Sequence, residues 1–430
     1  MAAKITVNNS NFTEIAQYYE NFLNKQEISC SNDETTSLAC IEEMISKIPQ
    51  ELWIRDNLKI LDPCCGNGNF FIPIAQKLLE TKEKKEIFEN ILHFNDTNEQ
   101  RLANVKEVFC EETYSLNISN NDYLKVDLEE KFDLIVANPP YAKFQENGTR
   151  SSKNHNLIAS FLEKSLEQLK PSGYLLYLTP DNWMSLSNRN TLISKLTALQ
   201  IIHLDIHTAK KYFKKIGSSF TWYIIQNIPY TSAFTVSGVW KKAHYQSRIE
   251  SMVRDFVPLL YTQIVKDIFY KTVDSNKYLK FPIQTSSDLH RFTKKALLSK
   301  EETNIFKYKT IHTPKQTVFS SRPHKFHKGY KVLISLTDKY KVFVENNCGM
   351  TQSTGFLLCD SKQSAENTAL ILSHPLYVFL NNVCRYGNFN NARVLQRFPI
   401  FTGKYSGNPE EIYAFFGLSL EEIQFIENNL

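Results

Sequence analysis

A short apolar run followed by an amide, two prolines and an aromatic ring is the part of the chain best suited to chemistry. Residues 134–137 are Leu-Ile-Val-Ala, and Asn138, Pro139, Pro140 and Tyr141 follow. The run predicts a short buried strand, which must stop because each proline fixes its φ angle and removes an N–H donor. What remains is an amide oxygen, backbone carbonyls and an aromatic face. This surface suits a planar ring with an exocyclic NH2 group, whose nitrogen would attack an electrophilic methyl group.

A glycine turn lies upstream, at the end of another predicted strand. Residues 59–72 pass from an apolar strand through Gly-x-Gly into a helix, and the glycines allow a tight turn close to a ligand. The turn lacks the third glycine of a dinucleotide fingerprint and the Lys-Ser/Thr of a phosphate-binding loop. With an acid at the strand end, it fits S-adenosylmethionine, whose amino-acid end is zwitterionic. The predicted cofactor contacts here are Asp62, Cys64, Gly66, Gly68 and Phe70.

Two acidic positions follow at the ends of the next predicted strands. Asp96 would bind the ribose hydroxyls, as the acid after the second strand does in Rossmann-type sites. It lies farther from Gly68 than the usual separation of about 20 residues, which we attribute to a longer helix and loop at 81–89. Asp122 follows a third strand and is placed to accept a hydrogen bond from the cofactor's adenine amine, and the adjacent Tyr123 is a further predicted contact.

These motifs need an open α/β sheet to bring them together. We expect a mostly parallel sheet that carries the cofactor and the catalytic loop at the carboxyl ends of its strands. This domain, residues 1–235, would be followed by a second domain, residues 236–430. The second half is predicted to mix helices with strands: helices at 247–270, 287–300 and 364–382, and strands at 331–336 and 341–344.

The order of the motifs resembles that of the gamma-class adenine-N6 DNA methyltransferases. In that class the cofactor motifs precede Asn-Pro-Pro-Tyr, and target recognition lies at the C-terminus. The resemblance implies a Rossmann-like S-adenosylmethionine-dependent methyltransferase domain and a C-terminal mixed α+β target-recognition domain. It also implies methylation of a flipped adenine in duplex DNA. The Asn138 side chain and the Pro139 carbonyl would accept from the adenine amine, Pro140 would stiffen the loop, and Tyr141 would stack on the base.

The same resemblance implies two further contacts. A second aromatic ring should stack on the other face of the extruded base, and residues 210–225 match the segment that supplies it. We expect this ring to be Phe213, with Phe220 as the second choice. The family's N-terminal cofactor motif is often Thr-Pro before a helix, whereas this chain has Thr35 without a proline. Thr35 is the predicted contact there.

Charge separates the two halves of the chain. Residues 1–230 hold 24 Lys and Arg against 29 Asp and Glu, whereas residues 231–430 hold 26 against 16. The excess lies within 303–404, which has 14 basic and 4 acidic residues. Basic and aromatic side chains interleave at 319–330, a pattern that suits phosphate contact with some base readout. The predicted DNA-binding residues are Arg322, Lys325 and Lys328.

Composition narrows the class of protein. The eight cysteines form no Cys-x-x-Cys pair, so neither a metal site nor disulfides are indicated. Cys64 and Cys65 are not expected to be nucleophiles, which disfavours cytosine-C5 methylation. No segment approaches the roughly 18 apolar residues of a membrane span, and residues 1–10 carry no secretory core. We expect a cytoplasmic monomer that binds duplex DNA, with no membrane association. Any restriction endonuclease for the same site would be a separate protein, because too little chain precedes Asp62 for a nuclease domain.

Several other functions remain open at this stage. Cytosine-N4 methylation uses the same amine chemistry. An RNA base methyltransferase would also accept a basic appendage. Protein glutamine-N5 methyltransferases share the tetrapeptide, but they place their substrate-binding part ahead of the glycine motif. A non-catalytic specificity module is disfavoured because Asn138 and the glycine turn are intact.

Overall fold

The computed structural model describes Tyr18 and residues 35–141, 157–186, 191–213, 219–251, 255–337, 339–387 and 389–430. The chain divides into two units. The first comprises Met1–Asp181 and Thr191–Met252, and the second comprises Asn182–Asn190 and Val253–Leu430.

One sheet forms the centre of the first unit. Its strands are β1 (Ile60–Asp62), β2 (Leu92–Asn95), β3 (Asn117–Ser119), β4 (Phe132–Ala137), β5 (Leu169–Pro180), β6 (Leu199–Ile206), β7 (Phe220–Pro229), β8 (Phe234–Trp240) and β9 (Ala243–Ile249). Within the described residues they run in the order β3-β2-β1-β4-β5-β7-β6-β8-β9. The five strands from β3 to β5 pair in parallel, and β7 is antiparallel to both of its neighbours. This confirms the predicted mostly parallel α/β sheet in the half that carries the motifs.

Helices connect these strands. They are α1 (Leu38–Ile45), α2 (Gln50–Trp53), α3 (Phe71–Leu78), α4 (Lys84–Glu86), α5 (Glu99–Phe109), α6 (Leu157–Gln168) and α7 (Thr191–Ala198). A π-helical turn, Ile87–Ile91, leads directly into β2. Side-chain caps fix two helix starts: Ser37 accepts from Cys40 N at α1, and Asn98 accepts from Gln100 N and Arg101 N at α5.

The Asn-Pro-Pro-Tyr tetrapeptide directly follows a fully buried strand of this sheet. All six residues of β4 are buried, and β1 and β5 pair with the strand along its two edges. Burial on both faces explains why Leu134–Ala137 is a continuous apolar run rather than an alternating one. Asn138 therefore leaves the sheet from a strand that is fixed by its neighbours.

The first unit runs past the predicted domain boundary at residue 235. The hairpin β8–β9 joins the sheet through parallel pairing of β8 with β6. Side chains reinforce this junction, since the buried Asp205 carboxylate accepts from the hydroxyls of Thr208 (2.6 Å) and Ser237 (3.0 Å). The unit therefore ends at Met252, and the start of the predicted second domain contributes two strands to the first.

The second unit contains two smaller sheets and several helices. Its strands are β10 (Gln284–Thr285), β11 (Leu298–Ser299), β12 (Tyr308–Thr313), β13 (Gln316–Ser320), β14 (Tyr330–Ser335), β15 (Val342–Asn346), β16 (Gly349–Met350) and β17 (Thr354–Cys359). They form the sheets β10-β17-β14-β15 and β11-β13-β12-β16. Its helices are α8 (Gln263–Lys271), α9 (Lys362–Leu372), α10 (Pro375–Asn382), α11 (Ala392–Leu395), α12 (Pro409–Phe415) and α13 (Leu420–Asn428).

The secondary structure of this unit follows the sequence only in part. The strands predicted at 331–336 and 341–344 correspond to β14 and β15, and the predicted helix 364–382 is present as α9 and α10, divided at His374. The helix predicted at 287–300 is wrong: this stretch holds turns, a short 3₁₀ turn (Lys295–Leu297) and β11. The helix predicted at 247–270 begins only at Gln263, because β9 continues to Ile249. No helix in the described part of the chain is long and apolar enough to cross a membrane.

Candidate active site

The predicted site residues converge on one edge of the first sheet. β1, β2, β3 and β4 are parallel neighbours, so their carboxyl ends lie together. Asp62 ends β1, Asp96 directly follows β2, and Asn138 directly follows β4. The strand order thus brings the glycine turn, the second acid and the tetrapeptide to the same edge, as the motifs predicted.

The two glycines of the turn have different reasons to be glycine. Both have positive φ, +56° at Gly66 and +87° at Gly68, where other residues are strained. A Cβ on Gly68 would lie 2.7 Å from Phe109 Cε2, so this position is set by packing against α5. A Cβ on Gly66 would meet nothing within 4 Å. Gly66 therefore borders open space, as a backbone that approaches a ligand should.

The carboxyl group of Asp62 is buried, which is unfavourable for its charged form. It is 1% exposed, and its Oδ1 accepts from Cys64 N at 3.1 Å. Burial raises the pKa of Asp62 well above its usual range, and the nearby Asp96 carboxylate raises it further, against the lowering effect of the Cys64 hydrogen bond. None of the described residues forms an ion pair with it. A ligand ammonium group would supply the missing charge, which is the predicted role of Asp62 toward the amino-acid end of the cofactor.

Asp96 joins the glycine turn to the second strand. Its Oδ2 accepts from Gly66 N (2.9 Å), and its Oδ1 accepts from Asn98 N (2.8 Å). Arg101 Nη1 lies 4.0 Å from Oδ2. A carboxylate has about four acceptor positions, so the backbone contacts leave capacity for ribose hydroxyls. The predicted ribose contact and the open side of Gly66 are thus neighbours.

A residue that the sequence did not single out connects the three loops that are predicted to bind the cofactor. The Asn95 side chain donates to Pro63 O (2.9 Å) and Asn121 O (3.0 Å). Its Oδ1 accepts from Ser119 Oγ (2.8 Å) and Asn121 N (3.2 Å). One buried amide therefore holds the ends of β1, β2 and β3 in register. The only local signal for it was its place beside Asp96.

Three residues predicted to contact the cofactor have side chains that are already engaged in other interactions. Asp122 is exposed and pairs with Lys125 (2.9 Å), so its predicted contact with the adenine amine competes with an ion pair. The Tyr123 ring is buried, with its hydroxyl 3.2 Å from Ser165 Oγ. The Phe70 ring is also in the core. Both rings are committed to packing, so only the backbone at these two positions is available to a ligand.

The amide of Asn138 is held from two sides. Its Nδ2 donates to Thr36 Oγ1 (3.2 Å), and its Oδ1 accepts from the Tyr141 hydroxyl. Cys64 Sγ donates to the Asn138 carbonyl at 3.8 Å, which links the glycine turn to the tetrapeptide. The N-terminal motif was predicted to act through Thr35, which is half-buried. In the structure the next residue, Thr36, makes the contact to Asn138.

Thr36 is also fixed through its backbone. Its carbonyl accepts from Asn69 Nδ2 (3.1 Å), where Asn69 follows the glycine turn. The segment before α1, the glycine turn and the tetrapeptide are therefore connected by side-chain hydrogen bonds. Pro139 is buried and Pro140 is half-buried, and each proline ring fixes its φ angle, so these two residues have little conformational freedom.

Tyr141, the last residue of the tetrapeptide, begins a row of three aromatic rings that contact one another in turn. The Tyr141 ring centroid is 6.1 Å from that of Phe220, which is 4.5 Å from that of Phe213. Phe213 is 1% exposed, and Phe220 is equally buried. Phe213 is therefore close to the site but covered, and stacking on a base would require this ring to move outward. Residues 142–156 and 214–218, which flank this cluster in the chain, lie outside the described residues.

In the second unit, the predicted DNA-binding residues divide into two kinds. Lys325 and Lys328 are exposed. Arg322 instead forms a two-pronged ion pair with Asp288: Nη2 lies 2.7 Å from Oδ1 and Nη1 lies 3.2 Å from Oδ2. The Arg322 guanidinium holds the pKa of Asp288 at about 2. The structure therefore favours a structural role for Arg322 over the predicted phosphate contact, because its charge is already compensated by a carboxylate of the same unit.

Known proteins resemble this chain mainly in its first half. Residues 8–212 match the family described as Eco57I restriction-modification methylase. The Type II methyltransferase M.AccI of Acinetobacter calcoaceticus is 30% identical over 173 residues, which cover 36% of this chain and 30% of that protein. A tRNA1(Val) (adenine(37)-N6)-methyltransferase of Glaesserella parasuis is 28% identical over 129 residues, covering 28% of this chain and 51% of that enzyme. The matched stretch is thus less than a third of the M.AccI length and about half of the tRNA enzyme's.

Solved structures extend the likeness of the fold into the second unit. A nuclease-deletion mutant of the Type ISP restriction-modification enzyme LlaGI, solved with a DNA substrate mimic, superposes with a TM-score of 0.55. The match covers 87% of this chain and 53% of that chain at 11% identity. At such identity the likeness concerns the fold alone. It agrees with the predicted α/β fold of the first domain. S-adenosylmethionine is the cofactor expected for the methylase family that residues 8–212 match.

Proposed function

We propose that this chain, whose residues 8–212 match a family of restriction-modification methylases, methylates the exocyclic N6 amine of a flipped adenine at a specific site in duplex DNA. The observation that carries the proposal is the Asn138 amide, held between Thr36 and Tyr141 next to the glycine turn. A fixed amide oxygen beside an aromatic face and a cofactor-type loop is the arrangement that methyl transfer to a planar amine requires. The methyl group comes from S-adenosylmethionine, whose sulfonium carbon is the electrophile.

The cofactor-binding residues divide according to the charge of the group that each would meet. Asp62 would hold the ammonium group, since its carboxyl is buried beside another carboxylate and lacks a cation among the described residues. Asp96 would hold the ribose hydroxyls with its remaining lone pairs. The open space at Gly66 leaves room for the ligand to approach the backbone. These three features fit the predicted cofactor independently of the sequence motif.

Asn138 would act on the adenine amine by exchange of one hydrogen bond for another. In the structure the Tyr141 hydroxyl donates to Asn138 Oδ1. An incoming amine would displace this hydroxyl, while the Thr36 contact keeps the amide oriented. The exchange changes the free energy little, because one hydrogen bond replaces another and each contributes only about 1 kcal/mol net. Most of the binding free energy for the base would then come from stacking on Tyr141, which contributes about 1–3 kcal/mol.

Catalysis in this scheme is mainly positioning. The Asn138 oxygen and the Pro139 carbonyl would take both amine hydrogens, which turns the nitrogen lone pair out of the ring plane and toward the methyl group. The N–C bond forms as the S–C bond breaks, and the extra proton on the product amine leaves to water, because the amide and the carbonyl are too weakly basic to keep it. Holding both reactants in line supplies the rate enhancement, after the base has been flipped at a cost of a few kcal/mol.

The second unit would carry the DNA-recognition role. Its basic excess within 303–404 and its exposed Lys325 and Lys328 support this part of the proposal.

We further propose that the chain acts as a monomer and that any endonuclease for the same site is a separate protein. Cytosine-N4 methylation is the nearest variant, because the amine chemistry is the same.

RNA adenine methylation is the second candidate function. It is favoured by one observation, the 28% identity to a tRNA adenine-N6 methyltransferase over 129 residues. The tetrapeptide and the predicted cofactor loops would serve either substrate equally. The choice between DNA and RNA therefore depends on the second unit and must be made by a methylation assay.

The test of the proposed function combines a substrate comparison with one substitution. The purified chain is incubated with tritiated S-adenosylmethionine and either duplex DNA or total tRNA, and the product nucleoside is identified by mass spectrometry. We expect N6-methyladenine in DNA. Asn138→Ala should abolish transfer while the dissociation constant for S-adenosylhomocysteine stays within about tenfold of the parent value, since Asn138 contacts the target rather than the cofactor. Label in tRNA alone, or near-normal turnover by the variant, would overturn the proposal.

A further inference from the structure

An eight-residue loop in the second unit, residues 289–296, is fixed at its neck to two adjacent residues. Ser321 N donates to Leu297 O (3.0 Å) on one side of the loop. On the other side, Arg322 forms the two-pronged ion pair with Asp288. Both ends are therefore attached to the segment that follows β13. A loop whose ends meet in this way projects its middle residues as a unit.

The interior of this loop is also held in place. Leu289 is fully buried at its start. Arg291 N donates to Gln352 Oε1 (2.9 Å), and Arg291 Nη1 donates to Gln316 Oε1 (3.1 Å). The His290 ring nitrogen Nδ1 accepts from Phe292 N (3.3 Å) and Thr293 N (3.4 Å). The backbone that carries the projecting residues is thus fixed by hydrogen bonds.

What the loop presents is an aromatic ring followed by two cations. Phe292 is 77% exposed, and residues 293–296 are exposed as well. Lys294 and Lys295 lie just after the ring. Residues 289–331 hold 11 Lys and Arg against 2 Asp and Glu. An exposed phenylalanine on a braced loop, within so basic a segment, matches a partner that offers both phosphate charge and apolar ring faces.

We propose that this loop contacts bases of the duplex, with Phe292 as a wedge at a base step and with Lys294 and Lys295 on the flanking phosphates. The inference rests on the proposed function and deepens it by naming residues that choose the sequence. Apolar side chains inserted between bases favour steps that unstack easily, so such a contact reads sequence through deformability. Arg322 is then a positioning residue, because it holds the neck of the loop through Asp288.

The test compares two exposed aromatic residues of the same unit. The methylated motif is first located by sequencing DNA from a host that expresses the chain. Binding of a duplex of about three helical turns with that motif, and of a scrambled duplex, is then measured by fluorescence anisotropy at several salt concentrations. Phe292→Ala is compared with the matched control Tyr270→Ala, which removes a ring that is 76% exposed on α8. Phe292→Trp keeps a stacking ring at the loop.

We expect Phe292→Ala to weaken binding of the specific duplex about tenfold or more, the effect of removing one stacking ring. Its salt dependence should be unchanged, because every ionic interaction remains. Phe292→Trp should retain binding, and Tyr270→Ala should match the parent. In contrast, replacing Lys294 and Lys295 with Gln should lower the salt slope by about 0.9 for each phosphate that is no longer neutralised and should weaken both duplexes alike.

The outcomes separate this inference from the function on which it rests. If the parent chain binds and methylates its motif while Phe292→Ala binds like Tyr270→Ala, the wedge is refuted and the proposed function stands. If Phe292→Ala weakens both duplexes equally, the sequence-reading role is refuted. If the parent neither binds nor methylates any duplex but still binds S-adenosylhomocysteine, the DNA substrate itself is wrong. Melting temperatures equal to the parent's would exclude misfolding as the cause of any weaker binding.

Discussion

Asp62→Asn should stabilise the cofactor-free protein and weaken its affinity for the cofactor. The carboxyl is buried beside Asp96, and burial raises its pKa well above the usual range. A carboxyl whose pKa is raised on folding contributes stability below its unfolded pKa, about 3.9, and this contribution is lost as the pH rises through the folded value. An amide of the same shape still accepts from Cys64 N, yet it carries no charge to be desolvated. The variant should therefore melt above the parent at pH 8, and the two should converge as the pH falls.

The size of each effect follows from the surroundings of the carboxyl. Each kcal/mol of relieved desolvation raises the melting temperature of a unit of this size by about 2–4 °C. Cofactor binding should change in the opposite direction, because the ammonium group loses a charge-assisted hydrogen bond worth about 1.5–3 kcal/mol. This loss corresponds to a dissociation constant about 10–150 times larger. Thermal melts from pH 5 to 8 and calorimetry with S-adenosylhomocysteine measure the two quantities.

The matched control is Asp127→Asn, an exposed carboxylate of the same unit. It should change neither quantity. The reasoning would be refuted if Asp62→Asn lowered the melting temperature of the cofactor-free protein at pH 8 while cofactor affinity stayed at the parent value. Such a result would mean that Asp62 is a structural carboxylate and that the ammonium group is held elsewhere.

Three further predictions concern the second acid, the basic surface and the Arg322–Asp288 ion pair. Asp96→Ala should raise the cofactor dissociation constant at least about tenfold, since ribose hydroxyls lose a charged acceptor worth about 1.5–3 kcal/mol; equilibrium dialysis that finds the parent value would move the ribose site away from β2. Replacing Lys325 and Lys328 with Gln should weaken binding to any duplex and lower its salt slope by about 0.9 for each phosphate that these lysines neutralise. Arg322→Gln should leave that slope unchanged and lower the melting temperature, because it breaks the Asp288 ion pair; a reduced slope in this variant would restore Arg322 as a phosphate contact.

The parts of the site that the sequence predicted are those with strong local signals. A Pro pair that ends an apolar run located Asn138, and a Gly-x-Gly pattern after an apolar run located Gly66. Asp62 and Asp96 followed because acids at the ends of parallel strands meet at one sheet edge, whatever the loop lengths between them. Each of these inferences needs only neighbouring residues and the general geometry of an α/β sheet.

The parts that were missed depend on interactions between distant residues. Thr36 holds the Asn138 amide across 102 positions of the chain, and no local pattern distinguishes it from Thr35. Arg322 lies 34 positions from the carboxylate that neutralises it, so a run of cations suggested a phosphate contact where the fold has an ion pair. The buried rings of Tyr123 and Phe213 are similar cases, because burial is decided by packing rather than by the polar neighbours of a residue in sequence.

The π-helical turn before β2 has a consequence for how this fold can change during evolution. The connection between the glycine turn and Asp96 is longer than usual, and its last residues form that turn, Ile87–Ile91, at the amino end of the strand. Asn95 meanwhile fixes the opposite end of β2 to its neighbours. Insertions can therefore accumulate at one edge of the sheet without shifting the acid at the other. Among relatives we expect length variation to concentrate at the amino edge, which would make this edge the natural place to attach a reporter or a tether without disturbing the candidate site.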